Sequence, residues 1–169
     1  MDQNINNKIS LKENLLTFYN SNKLKIYSLI IVLLTILITI IFLKIDNKKQ
    51  NNLTAEKYIQ AGLYLTSKEK EKSIELYEEI ILNKNKFYSI LALNTVLEKE
   101  LILDKKKILY YFTTVEEISL SKELKDLISF KKALYLIKNL EAAEGKKILK
   151  DLVDQNSKLK NLSKEILAN

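Results

Sequence analysis

The apolar and polar positions divide the chain into three parts. Residues 26–43 read IYSLIIVLLTILITIIFL, with no charge, no Gly and no Pro, and Lys25 and Lys44 close the run. At ~1.5 Å rise per residue such a run makes a helix of roughly 27 Å, close to the ~30 Å hydrocarbon core of a bilayer. With Ile45 included, the pattern predicts a transmembrane helix over 26–45 behind a short tail, 1–25. Tyr27 stands at one end, where an amphipathic ring prefers the interface. A buried core helix competes with this reading, but a small domain rarely buries a helix that is apolar all round. A cleaved signal peptide competes too. Its apolar region usually runs ~7–15 residues, and LKIDNKKQNN, which follows here, offers no small-x-small cleavage pattern.

Beyond the run the period changes. Residues 46–53 are polar and predict a linker. From 54 to 169 apolar residues recur at helical spacing with little strand signal, so the fold class expected is all-α. Helices are predicted at 54–66, 68–82, 86–99, 105–118, 122–138, 140–153 and 157–168. Their apolar positions include Ala55, Tyr58, Ile59, Gly62 and Leu65 in the first and Phe87, Ile90, Leu91, Leu93 and Leu97 in the third. The fifth carries Leu124, Leu127, Ile128, Ala133, Leu134 and Leu136, and the last carries Leu162 and Ile166. Thr66-Ser67-Lys68-Glu69 fits a capping box, and Asp104 and Ser121 are candidate N-caps. Only Gly62 and Gly145 occur in the chain, so helix breaks fall to Asn, Ser, Asp and Thr.

The third and fifth helices are apolar on more than one side. A lone hairpin cannot cover both faces of such a helix, but stacked hairpins can. A repeat of helical hairpins needs a small residue where the two helices cross, a second small residue about twelve positions on, and a large apolar residue about four beyond that. Ala61, Ser73 and Tyr77 have this spacing, and so do Ala133, Gly145 and Leu149. The unit between them, 86–118, has the length but not the small residues. The pattern therefore predicts a transmembrane helix followed by a stack of helical hairpins, tetratricopeptide-repeat-like, over 54–169.

Composition narrows the chemistry. The chain has no Cys, His, Trp, Pro or Arg, and all 28 basic residues are Lys. Disulfides and thiolate chemistry are excluded, and the commonest general base and metal ligand are missing. The bias toward Ile, Asn and Lys fits an AT-rich coding sequence. The net charge of +7 raises nucleic-acid binding as a reading. However, Lys68-Glu69-Lys70-Glu71-Lys72 alternates in sign like a solvated helix face, and Lys105-Lys106-Lys107 is the single like-charge run of the soluble part. No nucleic-acid partner is expected. No Gly-rich phosphate loop, G-x-S-x-G or H-E-x-x-H occurs. Glu78-Glu79 and Glu116-Glu117 are adjacent on helices, about 100° apart, and so diverge. No catalytic residue, metal ligand, cofactor or small-molecule substrate is expected. The aromatic cluster Tyr110-Tyr111-Phe112 reads as core or as a peptide-docking ring.

The whole layout resembles the ancillary SecYEG translocon-subunit family of bacteria, membrane-anchored proteins with a tetratricopeptide-repeat-like periplasmic domain. The resemblance rests on the lysine-bearing tail, the single span, TAEKYIQAGLYLTSKEKEKSIELYEEII, FYSILALNTVL and the closing NLSKEILAN. It implies a bacterial inner-membrane protein with one span, a cytoplasmic tail and a periplasmic C-terminal domain. It also implies protein partners: the Sec channel and a periplasmic chaperone or prolyl isomerase. The charges themselves assign no direction, since Lys8, Lys12, Lys23 and Lys25 balance Lys44, Lys48, Lys49 and Lys57. A groove lined by the first helix of each hairpin would place Tyr58, Gly62 and Leu65 toward a partner. A scaffold or assembly factor for division or cell-wall machinery fits the same features.

Overall fold

The computed structural model describes residues 3–139 and 141–168. Leu140, where the sixth helix was expected to begin, lies outside the described residues, as do the side chains of Lys8 and Lys12. Seven helices and no strand occur among the described residues: α1 Gln3–Thr66, α2 Lys70–Leu82, α3 Tyr88–Glu98, α4 Lys105–Glu116, α5 Lys122–Asn139, α6 Ala142–Asp154 and α7 Lys160–Ala168. The all-α class and the order of helices agree with the apolar periodicity.

The largest difference lies at the start. The polar segment 46–53 is helical and belongs to α1. No Gly precedes Gly62 and no Pro occurs anywhere. Asn and Lys cost a helix at most ~0.7 kcal/mol per residue relative to Ala, so nothing in the segment terminates it. By compactness the chain forms two units, 1–50 and 51–169.

In the first unit the apolar residues from Leu29 to Ile45 are all exposed. One window of this helix is long and apolar enough to cross a membrane, and none of it is buried. Its two threonines satisfy their hydroxyls within the helix: Thr35 Oγ1 donates to Ile31 O at 2.6 Å and Thr39 Oγ1 to Thr35 O at 2.8 Å. Such back-bonding leaves no hydroxyl unpaired in a medium that offers no partner.

The second unit has two apolar cores. The larger is built from Ala61 of α1, Tyr77, Ile80 and Ile81 of α2, Ala92, Leu93 and Val96 of α3, Ile108, Tyr111, Phe112 and Val115 of α4, and Ile128 of α5. Both sides of α3 are used, because it packs on α2 and on α4. The smaller core joins Ala133, Leu149 and Leu152 to Phe130, Ile137, Ile148, Ile166 and Leu167. Each buried Leu, Ile or Phe side chain contributes about 1.5–3 kcal/mol. Several expected core positions are on the surface instead: Ile59, Phe87, Leu124, Leu134 and Leu162. Phe87 precedes α3, and the others lie on helix faces that meet no neighbour, so the apolar pattern was wider than the contact.

Small residues mark the close helix crossings. Ser73 of α2 is fully buried, and its Oγ donates to the Ala61 carbonyl of α1 at 2.8 Å. At Gly145 of α6, a Cβ would lie 2.6 Å from the Ala133 carbonyl of α5 and 2.6 Å from Ile137 Cγ1. Between them, Ser89 of α3 is fully buried and its Oγ donates to the Ile80 carbonyl of α2 at 2.7 Å, whereas α3 and α4 meet with Leu93 and Ile108 in the core and no small residue on α4. Their connector (99–104) is also longer than the one joining α1 to α2 (67–69).

Helix ends are made without glycine. Lys68, Lys84, Glu100 and Asn156 all have positive φ, near 63°, 54°, 46° and 52°. After α1, α3 and α6 the paired bonds of a Schellman turn close the helix. For α1 they are Lys68 N–H to Leu65 O at 3.3 Å and Glu69 N–H to Tyr64 O at 2.9 Å. Such a position prefers Gly, and an L side chain there costs roughly 1–2 kcal/mol. Asp104 caps α4 as expected, its carboxylate accepting from Lys106 N and Lys107 N at 2.9 and 3.1 Å. The expected capping box does not form. Thr66 Oγ1 donates back to Leu63 O, and Glu69 pairs with Lys72. The Schellman turn holds Thr66 inside α1, too far back to cap α2.

Two sets of substitutions test this account by thermal unfolding of the full chain in detergent micelles. Gly145→Ala should destabilise by about 1–3 kcal/mol, because its methyl meets a backbone carbonyl. Gly62→Ala should stabilise by up to about 1 kcal/mol, since its Cβ would meet only the Tyr77 hydroxyl, at 3.8 Å. Lys68→Gly and Glu100→Gly should each raise the melting temperature, by up to about 1 kcal/mol of stability after the added chain entropy of Gly. Equal melting of all four variants would contradict the geometry.

Candidate functional site

The residues expected to face a partner are engaged inside the second unit. Tyr58 is half-buried; its hydroxyl lies 2.9 Å from Thr95 Oγ1 of α3, and its ring packs edge-on to Tyr77 and tilted against Tyr88. Gly62 is half-buried beside the Tyr77 hydroxyl. Leu65 packs against the larger core and, with Thr66, Lys70, Lys99 and Leu101, borders a cleft of ≈ 460 Å³. The three residues therefore tie α1 to α2 and α3. The exposed apolar side chains of the same stretch are Leu53, Ile59 and Leu63, and the last two are 62% and 60% exposed. Ile59 and Leu63 are i,i+4 neighbours and present one free apolar ridge.

The aromatic cluster on α4 divides by helical position. Tyr111 and Phe112 are fully buried, whereas Tyr110 is 58% exposed. Core packing accounts for two of the three rings. The Tyr111 hydroxyl has no hydrogen-bond partner. Burial first, and then the neighbouring Glu78 carboxylate, push its pKa well above the ordinary 10.0.

The adjacent carboxylates diverge, each to a different lysine. Glu78 pairs with Lys107 of α4 at 2.8 Å, and Glu79 pairs with Lys57 of α1. Glu116 pairs with Lys132 of α5 at 2.8 Å, while Glu117 pairs with Lys84 in the turn after α2. Lys131 of α5 donates to Asn94 of α3 at 2.7 Å. These contacts fasten one helix to another. Surface pairs of this kind contribute about 0–1 kcal/mol each, so they set register more than stability. Among the described residues no group of three or more His, Cys, Asp or Glu is arranged to hold a metal ion.

Two further clefts are present. One, of ≈ 330 Å³, lies between the end of α3, the start of α4 and the end of α5, and is lined by Leu97, Ile102, Ile108, Leu134 and Tyr135 among others. The second, of ≈ 670 Å³, opens between the end of α4, α5 and α6. It is lined by Glu116, Asp126, Ser129, Lys132, Glu144 and Asp151 with further lysines. Asp126 is 8% exposed and stands on the buried stripe of α5 with Ala133 and Leu136. Sequence reasoning missed it, although a signal was present. Asp126, Ser129, Ala133 and Leu136 recur at helical spacing, so an acid lies on an apolar face.

Tyr111→Phe tests the buried phenol. Below a pH of about 10 both folded and unfolded chains keep the phenolic proton. Above it the unfolded chain releases the proton and the folded one does not, so this residue's share of stability falls as pH rises from about 10. The Phe variant should match or exceed the parent at neutral pH, because it removes an unpaired buried hydroxyl. It should also show a shallower loss of melting temperature between pH 9 and 11. An identical pH slope would contradict the assignment.

Comparison with protein-family models, with curated proteins and with solved structures finds no match to this chain.

Proposed function

We propose that the chain is a single-pass membrane-anchored protein-interaction module, with a tetratricopeptide-repeat-like stack of hairpins as its binding domain. One observation carries this reading. The most apolar stretch of the chain is exposed throughout, while residues 51–169 bury a core of their own. Leaving that many apolar side chains in water opposes folding, and a bilayer removes the cost. The back-bonded Thr35 and Thr39 fit the same environment. For the hairpin stack, the support is the pair of crossings at Ala61 and Ser73 and at Ala133 and Gly145, twelve positions apart in each case.

The diverging, lysine-paired carboxylates and the missing His, Cys and Arg favour binding over catalysis. An anchor holds the domain near membrane partners at high effective concentration, so that each contact can be weak. By the resemblance, the partners proposed are the Sec channel and a periplasmic chaperone or prolyl isomerase, with the domain on the periplasmic side of the bacterial inner membrane.

The chain should stay in the membrane pellet after alkaline carbonate extraction. Ile36→Lys with Thr39→Lys should release it, because each central charge costs about 2.5–3.5 kcal/mol. A photo-crosslinker at Ile59 or Leu63 should capture membrane or secretory proteins, and a reporter fused after Asn169 should be active outside the cytoplasm. Carbonate-soluble protein, or a chain that works equally well without residues 26–45, would sink the proposal.

A further inference from the structure

The crossing at Ala61 and Ser73 recurs at Ala133 and Gly145, 72 positions later. More than the crossing repeats at that distance. Tyr77 and Leu149 are both buried, Glu69 and Glu141 both precede their helices as N-caps, and Lys84 and Asn156 both turn with positive φ. Beside those turns, Asn85 Oδ1 accepts from Phe87 N and Tyr88 N at 3.0 Å, and Ser157 Oγ accepts from Leu159 N at 3.2 Å. The end of α1 together with α2 is therefore matched by α5 together with α6.

The match shows what covers one face of a hairpin. On α5, Ile128 is buried in the larger core, and the Tyr135 ring packs on Phe112 of α4 with centroids 5.9 Å apart. Lys132 pairs with Glu116 of α4, and Lys131 donates to Asn94 of α3. These four residues meet the hairpin that precedes them. Their counterparts on α1 are Glu56, Ile59, Gln60 and Leu63, and all four are exposed. Within residues 51–169 no hairpin precedes α1, so this face is the open edge of the stack. Its chemistry also differs from that of α5. Where α5 carries Lys131 and Lys132 for polar partners in its own chain, α1 carries the uncharged Ile59 and Gln60.

We propose that this edge docks an amphipathic helix of a partner protein, seated on Ile59 and Leu63 as α4 is seated on α5. The guest's pattern follows from α4. Ile108, Phe112 and Val115, at i, i+4 and i+7, form the apolar stripe that α4 turns to the core, and the guest carries the same spacing. Helix α4 also brings Glu116 to Lys132. Gln60 stands in the place of that lysine on α1, so the guest needs no acid there. Two apolar side chains one turn apart make a small contact. Each docking is weak by itself, which suits a domain held beside its partners by an anchor. Docking of this kind names the partner class of the interaction module proposed above, at the edge of the stack, and rests on that reading for its biological setting.

The test uses the full chain in lipid nanodiscs, with the methyl signals of its Ile and Leu residues followed by NMR. The probe is a hydrocarbon-stapled peptide of residues 104–117, the α4 segment. A control peptide carries Ile108→Gln, Phe112→Gln and Val115→Gln, and empty nanodiscs report binding to lipid. The α4 peptide should give saturable shifts at Ile59 and Leu63 and none at Leu103 or Leu162, which are also exposed. The control peptide should give none. Glu116→Gln in the peptide should leave its binding unchanged. Ile59→Ala with Leu63→Ala should weaken the α4 peptide at least tenfold with the melting temperature unchanged, because both side chains are exposed. Equal shifts at Leu103 and Leu162, equal binding of the control peptide, or unchanged binding in the double Ala variant would overturn the proposal. The chain has no Cys, so Ile59→Cys introduces a single thiol. A disulfide between two copies in native membranes would make the second copy the occupant and overturn the proposal too. If the peptide binds but carbonate extracts the chain, the anchored-module reading fails and the docking edge stands. If the chain stays in the pellet and crosslinking succeeds but the peptide does not bind, the docking edge fails alone.

Discussion

The soluble part depends on how closely two helices can approach where they cross. At one crossing the Ser73 hydroxyl bonds directly to the Ala61 carbonyl, and at the other Gly145 leaves just enough room for the Ala133 carbonyl. A larger side chain at either point would separate the helices and open the packing of every layer beyond, because interiors tolerate little added volume. The close approach lets Tyr77 and Leu149, one turn further along, reach the core. Where the small pair is missing, between α3 and α4, a longer connector and large core residues take over.

Charge has a different task. A chain with no Arg and many Lys relies on flexible point charges, which give little stability in water. Lys57, Lys84, Lys107 and Lys132 each reach a carboxylate on a separate structural element. Their joint effect is to fix which helix lies beside which, while burial supplies the energy.

Much of the fold was legible in the sequence because helical period and cap chemistry are local. The ends of α2 to α7 fall within a few residues of their expected positions, and Asp104 caps as its spacing suggests. The errors have a common cause. The connector at 46–53 was expected from its composition, but weak propensities do not stop a helix that nothing breaks. Phe87, Leu124 and Leu134 were assigned to the core from hydrophobicity, yet burial requires a neighbour at that angle, and the neighbour's position is not local. Tyr58 and Leu65, placed toward a groove by register, also make contacts of α1 with α2 and α3 that register alone does not predict.

The sequence by itself determined the six helices α2 to α7, an apolar stretch long enough to cross a bilayer, the small-residue crossings at Ser73 and Gly145 and the divergence of the paired carboxylates. Each follows from spacing along one chain segment, through rise per residue, angle per residue or side-chain size. Only the tertiary structure decided which lysine meets which carboxylate, which apolar residues stay outside, and that Asp126 is buried beside a cleft. Those outcomes depend on the distance between segments far apart in the chain, which packing sets and local pattern does not encode.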